Sequence, residues 1–386
     1  MRIFKFFLIS CFLVTTISKA QSKDISLEDI WDGSFRTERM DALHSMKNGN
    51  QYSVLNFDRE VRSTAIDVYD YKTLSKVRTL VSSTDIEEIP YFTDYTFSED
   101  ENKILLATEE EPIFRRSTLG KYYVYNVSEK SLHNIADYKI QEPTFSPNGK
   151  YVAYGYNNNL YVKNLETNDL IQLTTDGKKN EIINGITDWV YEEEFGFVRA
   201  FEWNSDSDRI AFIRFDETNV PEFSMDIMGN ELYPTQQVFK YPKAGEKNAE
   251  VSLHIYDLET NQTTQVDLFS FNNYYIPRIK WTKDKSLLSV QLLNRHQNEL
   301  DLILVDVSNN NSTSLLHREK DVAYVAINDD LTFLDNKKRF PFAFFSGKPG
   351  LLRVKYHEPQ STLGLTQSDV SSTSDRFRNL ILEDLS

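Results

Sequence analysis

The sequence predicts an all-β fold built from repeated units of propeller-blade length. Aromatic residues make up 13% of its 386 residues, and short apolar runs alternate with polar residues between proline and glycine turns, as in half-buried strands. One pattern recurs, an aromatic residue followed by a polar turn and an apolar strand. Its markers lie about 50 to 80 residues apart, near or above the roughly 40 to 50 residues of a propeller blade, at Phe97, Phe145, Trp203 and Trp281. We predict that these markers are blade-core residues.

The first element in order is a secretory signal peptide over residues 1–20. Arg2 and Lys5 precede an apolar stretch over residues 6–17, which is too short to span a bilayer and is followed by small residues up to Ala20. Cys11 loosely matches a bacterial lipoprotein box, but the apolar run continues past it, so the pattern favours cleavage near Ala20 over a lipid anchor. We therefore expect an exported chain, periplasmic or secreted, whose mature form has no disulfide.

A leader over residues 21–48 comes next, and residues 25–31 have the pattern of an amphipathic helix. Residues 49–340 then carry the repeats. A second strand often follows the first and ends in Asp or Asn before a turn, as in residues 123–127 and 160–167. Residues 331–340 begin a further copy, so the copies indicate five or six blades, and insertions inside blades explain the longer gaps.

Charge and motif content exclude several classes of function. The formal net charge of −15 argues against nucleic-acid binding, which needs clustered Lys and Arg. The sequence contains no glycine-rich phosphate loop, no Cys or His pair at metal-ligand spacing and no calcium-loop order of acidic residues. We predict no cofactor and no metal, and a weak attraction for cationic ligands such as peptide amino termini.

An acidic triplet, Glu192, Glu193 and Glu194, lies among aromatic and aliphatic neighbours in residues 188–197. Adjacent carboxylates repel one another, and desolvating them is costly unless a cation or several donors face them. Such a placement is typical of a partly enclosed negative site. The alternative is an exposed face or a helix N-terminus, where glutamate is favoured by the helix dipole.

The wider context of the triplet carries a resemblance to a known family. Residues 184–187 lead directly into it, and residues 210–217, 220–221 and 241–245 follow. In this order and spacing the segments closely resemble the β-propeller of dipeptidyl peptidase IV, in the prolyl oligopeptidase family of serine peptidases. The resemblance covers roughly residues 25 to 340 and implies an incomplete N-terminal propeller of this type, about five to six blades of a ring of eight.

The resemblance implies roles for three residues. The second and third glutamates of the triplet, Glu193 and Glu194, would hold the free α-ammonium of a substrate peptide. Arg115, which precedes the tyrosine-rich stretch 122–125, would orient a backbone carbonyl of the substrate. Two carboxylates can replace the water of an ammonium group, whereas an internal peptide segment would leave their charge unpaired, so such a site selects chain ends.

The catalytic half of the resembled family has no counterpart in this sequence. The Gly-x-Ser-x-Gly nucleophile elbow is absent, and none of the six histidines has a context that marks a base. The α/β-hydrolase domain that follows the propeller in the family is therefore predicted to be absent here. We expect no catalytic residues, and a chain that is inactive alone.

Residues 341–386 are predicted to be a non-family tail. Pro341 and Pro349 interrupt the strand alternation, and residues 361–374 are rich in Ser and Thr without periodic apolar residues. An abrupt change of composition at residue 340 favours a frameshift over a natural divergent tail, and residues 361–374 have the composition of a linker or a disordered segment.

Two functions of different class compete. The first is the propeller fragment of an exported dipeptidyl peptidase IV-like serine exopeptidase, which would release N-terminal dipeptides with proline or alanine in second position. The second is a non-catalytic exported propeller that binds peptides or proteins. The expected partners are a peptide with a free amino terminus, the hydrolase domain of a full-length family member and a second copy of the chain, but not nucleic acid.

Overall fold

The computed structural model of the protein describes residues 24–37, 42–268, 274–327, 329 and 331–333, and the backbone of strands at 340–345, 352–358 and 361–362. These residues belong to two compact units, residues 1–43 and 44–386. The predicted signal peptide, with Cys11 and Ala20, lies outside the described residues. No helix in the described part of the chain has the length and apolar character needed to cross a membrane.

The first unit contains one short helix, α1 (Leu27–Trp31). It starts with a capping box: the Ser26 hydroxyl accepts the backbone N–H of Asp29 at 3.1 Å, and the Asp29 carboxylate accepts that of Ser26 at 3.2 Å. Its apolar side chains are exposed, and Trp31 is 83% accessible. The amphipathic helix expected in the leader is therefore present, with its apolar residues uncovered in this unit.

The second unit begins with three antiparallel sheets whose strands are hydrogen-bonded in sequence order or its reverse. The first sheet contains β1 (Leu43–Ser45), β2 (Gln51–Asp58), β3 (Ser63–Asp70) and β4 (Lys76–Ser82), and a 3₁₀ turn (Ser83–Asp85) follows it. The second contains β5 (Asp94–Phe97), β6 (Lys103–Pro112), β7 (Thr118–Asn126) and β8 (Ser131–Asn134). The third contains β9 (Gln141–Phe145), β10 (Tyr151–Tyr156), β11 (Asn159–Asn164) and β12 (Leu170–Gln172).

The fourth sheet is interrupted by two insertions. Its strands are β13 (Ile182–Asn184), β14 (Phe201–Trp203), β15 (Arg209–Asp216), β18 (Glu250–Asp257) and β19 (Gln262–Gln265). Both β13 and β14 pair with β15, and the helix α2 (Trp189–Phe195) lies in the connection between them. The second insertion is a hairpin of β16 (Glu222–Ile227) and β17 (Thr235–Lys240) between β15 and β18.

The fifth and sixth sheets again have four strands each. The fifth contains β20 (Tyr274–Trp281), β21 (Leu287–Asn294), β22 (Glu299–Asp306) and β23 (Ser312–Lys320). The sixth contains β24 (Thr332–Phe333), β25 (Phe340–Phe345), β26 (Leu352–Glu358) and β27 (Ser361–Thr362). Six sheets of four or five strands in chain order confirm the predicted all-β fold of five to six blades. No α/β-hydrolase domain occurs among the residues that the structure describes.

Neighbouring sheets pack face to face and share apolar cores. One core joins Ile66 of the first sheet to Ile104 of the second. Others join the second to the third, the third to the fourth and the fourth to the fifth. The second, third and fourth sheets therefore bury their faces against the sheets before and after them, as the blades of a propeller do.

The aromatic markers of the repeat have a common position. Phe97, Phe145, Trp203 and Trp281 are each the last residue of a strand that pairs with the next strand in the sequence, and Phe333 has this place in the sixth sheet. All are buried except Phe97, which packs partly buried against its core. The predicted role of these residues in the blade cores is confirmed, and the further copy that we placed at residues 331–340 has Phe333 as its marker.

Strands β25, β26 and β27 lie in the stretch that we expected to break the strand pattern. Pro341 is the second residue of β25, and β24 pairs only with the two residues after it, Phe342 and Ala343. Proline lacks a donor, but near the start of a strand this lack is tolerated. The expectation that Pro341 would prevent a strand is therefore wrong, whereas Pro349 and residues 363–386 lie outside the described residues.

Candidate functional site: an acidic helix beside an arginine loop

Helix α2 is the element that positions the acidic triplet. The Asp188 carboxylate caps it by accepting the backbone N–H of Tyr191 at 2.9 Å. The helix ends at Gly196, whose φ of 73° lies in the left-handed region that glycine adopts without strain. The triplet is thus helical, but of its three residues only Glu192 lies in the first turn, so the alternative of a helix start applies to Glu192 alone.

Two aromatic side chains anchor α2 in the core. Tyr191 and Phe195 are one turn apart on the helix and are both buried in the core formed by the fourth and fifth sheets. The backbone N–H of Ile276 donates to the Tyr191 hydroxyl at 3.0 Å, which gives this buried polar atom a partner. Because Tyr191 and Phe195 face the core, Glu193 and Glu194 between them are directed away from it.

The three glutamates have different environments. Glu192 is only 1% exposed, and its Oε1 accepts the backbone N–H groups of Arg116 at 2.6 Å and Ser117 at 2.9 Å. The Glu193 side chain is 22% exposed, and Glu194 is exposed. The triplet therefore separates into one structural carboxylate and two accessible ones.

Arg115 lies in the loop between β6 and β7, next to the residues that Glu192 holds. Its Nη1 is 3.7 Å from Oε2 of Glu193, and its side chain is 76% exposed. An exposed ion pair at this distance contributes little to stability. The ion pair matters because it shows that the Arg115 guanidinium and the Glu193 carboxylate lie together on one accessible surface.

The β16–β17 hairpin contacts both parts of this site. Phe239 of β17 packs against Phe114, with ring centroids 5.7 Å apart, and Phe114 precedes Arg115. Tyr241, just after β17, packs against Trp189 of α2 at 4.4 Å. The hairpin thus supports the arginine loop and the acidic helix from the same side.

Two acidic groups, Asp188 at the start of α2 and Glu142, have raised pKa values. Burial raises the pKa of Asp188 to about 6, although the backbone N–H groups of Tyr191 and Val190 favour its charged form. Burial also raises the pKa of Glu142, with Arg199 opposing and Glu192 adding to this shift. No group of His, Cys, Asp and Glu side chains in the described residues is arranged to hold a metal ion.

Comparison with known proteins decides the family. The model of the dipeptidyl peptidase IV (DPP IV) N-terminal region matches residues 98–378 of the chain. The chain belongs to the dipeptidyl peptidase IV family. The match extends beyond residue 340, so our expectation that nothing after Phe340 resembles the family is corrected.

Relatives of this dipeptidyl peptidase IV family member agree with the match. A probable dipeptidyl-aminopeptidase B of Chaetomium globosum is 32% identical over 282 residues, covering 67% of this chain and 30% of the relative. The crystal structure of Porphyromonas gingivalis dipeptidyl peptidase 4 has a TM-score of 0.79 at 34% identity, covering 89% of this chain and 50% of that one. A putative dipeptidyl aminopeptidase IV from Bacteroides ovatus, at 20% identity and a TM-score of 0.60 over 80% of this chain and 41% of that one, supports the fold alone. The chain spans between 30% and 50% of the length of these proteins.

Within this family member, the structure brings together Arg115 and Glu193, and it places Glu194 on the same helix as the next, more exposed residue. The reasoning from sequence missed the distinct role of Glu192. It also missed the support given by Phe239 and Tyr241. The one available signal was the position of Glu192 one residue after the buried Tyr191, but its partners are 75 and 76 residues away and no local pattern indicates them.

Proposed function

We propose that Glu193 and Glu194 bind the free α-ammonium group of a peptide, and that Arg115 orients a backbone carbonyl of the same peptide. The observation that carries this proposal is the 3.7 Å approach of the Arg115 guanidinium to the Glu193 carboxylate on an accessible surface. A peptide amino terminus presents an ammonium and, a few atoms later, a carbonyl oxygen. An acidic helix beside an arginine loop is complementary to both groups.

The environment of the site supports selection for charge. Glu192 is already satisfied by two backbone N–H groups, so Glu193 and Glu194 are the members of the triplet that are free to meet a ligand. An ammonium has three donors and suits two carboxylates, whereas an acetylated terminus has no charge and would leave Arg115 as the single counter-ion in the described part of the chain that faces Glu193 and Glu194. The guanidinium of Arg115 suits a carbonyl oxygen because its planar fork presents several N–H donors in a fixed geometry.

The wider proposal is that the chain is the propeller portion of an exported dipeptidyl peptidase IV-like exopeptidase. Such an enzyme releases N-terminal dipeptides, with proline or alanine in second position, and it uses a hydrolase domain that the chain does not cover. Binding of the amino terminus by the propeller would fix which peptide bond reaches that domain. A periplasmic or secreted location and a homodimer belong to the same proposal.

The test is binding of a free-amine dipeptide, Ala-Pro amide, and of its N-acetylated form, measured by calorimetry on the chain. We expect the free-amine form to bind at least tenfold more tightly. Glu193→Gln and Glu194→Gln should remove most of this preference, and Arg115→Met should weaken the binding of the free amine. Glu259→Gln, an exposed carboxylate in a distant turn, is the control and should change nothing.

Equal losses of affinity for the free and acetylated dipeptides would contradict the assignment of Glu193 and Glu194. Binding of both forms with no preference in the unmodified chain would instead favour the second function, a non-catalytic propeller that binds peptides or proteins by other contacts.

A further inference from the structure

The carboxyl end of α2 is the part of the proposed site that the helix cannot stabilise by itself. The last carbonyl groups of a helix have no partner within it, and carboxylates near this end are disfavoured by the helix dipole. Helix α2 has seven residues, carries Glu193 and Glu194 close to its end and has no basic residue in its last turn. A helix of this length needs tertiary contacts to persist.

Arg278 of β20 supplies the missing cation. Its Nη2 donates to the carbonyl oxygen of Phe195, the last residue of α2, at 2.9 Å. Its guanidinium also lies over the ring of Phe197, with Cζ 5.0 Å from the ring centroid, within the range of a cation–π contact. An arginine 83 residues away in the sequence therefore caps the end of α2.

Asp329 anchors this arginine. Its carboxylate accepts from Nη2 of Arg278 at 3.1 Å and also from Nε, so the two side chains form a bidentate pair. Nη1 of Arg278 donates to the carbonyl of Pro277 at 2.6 Å. The guanidinium thus makes four hydrogen bonds, and the Arg278 side chain is only 22% exposed. A guanidinium held at these points has little freedom to reorient.

The anchor belongs to the segment that leads into the sixth sheet. Asp329 lies three residues before Thr332, where β24 starts. Leu331 and Phe333, on either side of Thr332, are buried in the core that the fourth and fifth sheets share. The end of α2 is therefore connected through Arg278 to the start of the sixth sheet.

We propose that Arg278 is a positioning residue of the peptide-terminus site. Held by Asp329, it fixes the carboxyl end of α2, and the directions in which Glu193 and Glu194 project follow from it. Its positive charge also offsets the unfavourable placement of these carboxylates near the helix end. Glu192 holds the same helix to the arginine loop, so α2 is fixed on two sides. The inference rests on the proposed function for the identity of the ligand.

The first experiment compares Arg278 with a matched arginine of the same sheet. Arg318 of β23 forms a bidentate pair with Asp301 of β22, through Nε at 2.6 Å and Nη2 at 2.7 Å, and its hydrogen bonds and ion pairs in the described residues stay within the fifth sheet. Arg278→Met should reduce the preference for Ala-Pro amide over its acetylated form by about fivefold or more, and Arg318→Met should leave it within about twofold. Arg278→Lys keeps the charge but not the planar fork, and should restore part of the preference.

The second experiment needs no ligand. Hydrogen exchange of the backbone amides in residues 192–197 is measured by mass spectrometry on the same variants. We expect about tenfold faster exchange in Arg278→Met than in the unmodified chain, because the end of α2 opens locally. Arg318→Met should show no such change. This readout separates a local role of Arg278 from a general loss of stability, which both variants share.

The proposal is overturned if Arg278→Met leaves the exchange of these residues unchanged, if the preference of the unmodified chain survives this substitution, or if Arg318→Met has equal effects on both readouts. Absence of a preference in the unmodified chain would contradict the proposed function, and hydrogen exchange would then decide by itself whether Arg278 holds α2. Urea midpoints of the same samples show that each variant is folded. If Arg278→Met does not fold, Arg278→Lys takes its place, with expected changes of about two- to threefold.

Discussion

The carboxylate of Glu192 accepts the backbone N–H of Ser117 at 2.9 Å. Because it also accepts the N–H of Arg116, it ties α2 to the loop that carries Arg115. The first glutamate of the triplet is therefore a positioning residue for the other two. It holds the guanidinium loop beside Glu193 without being accessible to a ligand.

Glu192→Ala should both destabilise the protein and weaken the proposed site. The change leaves the N–H groups of Arg116 and of the buried Ser117 without their acceptor, at a cost of about 1–3 kcal/mol, and releases the Arg115 loop. We expect a lower midpoint of urea unfolding and a lost preference for Ala-Pro amide over its acetylated form. Glu192→Gln keeps an acceptor oxygen and should retain most of both, so an equally severe Gln variant would contradict the positioning role.

Stability should fall as the pH rises through the range set by Glu217. Its pKa is raised from 4.5 to about 7 by burial first, and then by Asp188, with Lys240 opposing and Asp216 adding. A carboxyl group with a raised pKa favours folding when protonated, so its contribution is fully present below about pH 4.5 and is lost as the pH approaches 7. The full loss should be on the order of 3–4 kcal/mol, at about 1.4 kcal/mol for each pH unit of the shift.

Urea unfolding at pH 5 and pH 8 measures this effect. Glu217→Gln should lose less stability than the unmodified chain between these two pH values, and it should be the more stable protein at pH 8. Asp188, with a pKa raised from 3.8 to about 6, acts in the same direction at lower pH and remains in both proteins. A pH dependence unchanged by Glu217→Gln would show that the residue is not the source.

The marker tryptophans should also differ in their contributions to stability. The indole N–H of Trp281 donates to the carbonyl of Glu202 in the preceding sheet at 2.9 Å, and that of Trp203 donates to the carbonyl of Thr144 at 3.4 Å. Replacing either tryptophan by phenylalanine removes a hydrogen bond between neighbouring sheets. We expect Trp281→Phe to cost about 1–3 kcal/mol and Trp203→Phe to cost less, because its bond is longer.

Chemical denaturation of the two variants tests this order. Both keep an aromatic ring in the core, so a difference between them reports mainly on the hydrogen bond. A larger loss for Trp203→Phe would mean that ring packing, rather than the bond between sheets, determines the cost.

The strand pattern was predictable because its causes are local. Alternation of apolar and polar residues decides which side of a strand is buried, and an aromatic residue before a polar turn marks the end of one strand in each sheet from the second to the sixth. These features involve neighbours within a few residues. The same holds for α2, whose start follows from Asp188 and whose end follows from Gly196.

Local patterns failed at Pro341. The proline was expected to stop the strand, but the cost of a missing donor depends on which neighbouring strand lies opposite it. This is a property of the sheet, since β24 pairs only with Phe342 and Ala343. No feature of the residues around Pro341 contains that information.

The sequence by itself determined the all-β repeat, the short acidic helix and the identity of three candidate site residues, because periodicity, capping and a family motif are contained in contiguous residues. Only the tertiary structure decided that Glu192 is buried against Ser117, that Arg115 meets Glu193 and that Glu217 is buried near the charge of Asp188. These facts depend on burial and on register between segments far apart in the chain. The energy of a carboxylate is governed by the groups that surround it in space.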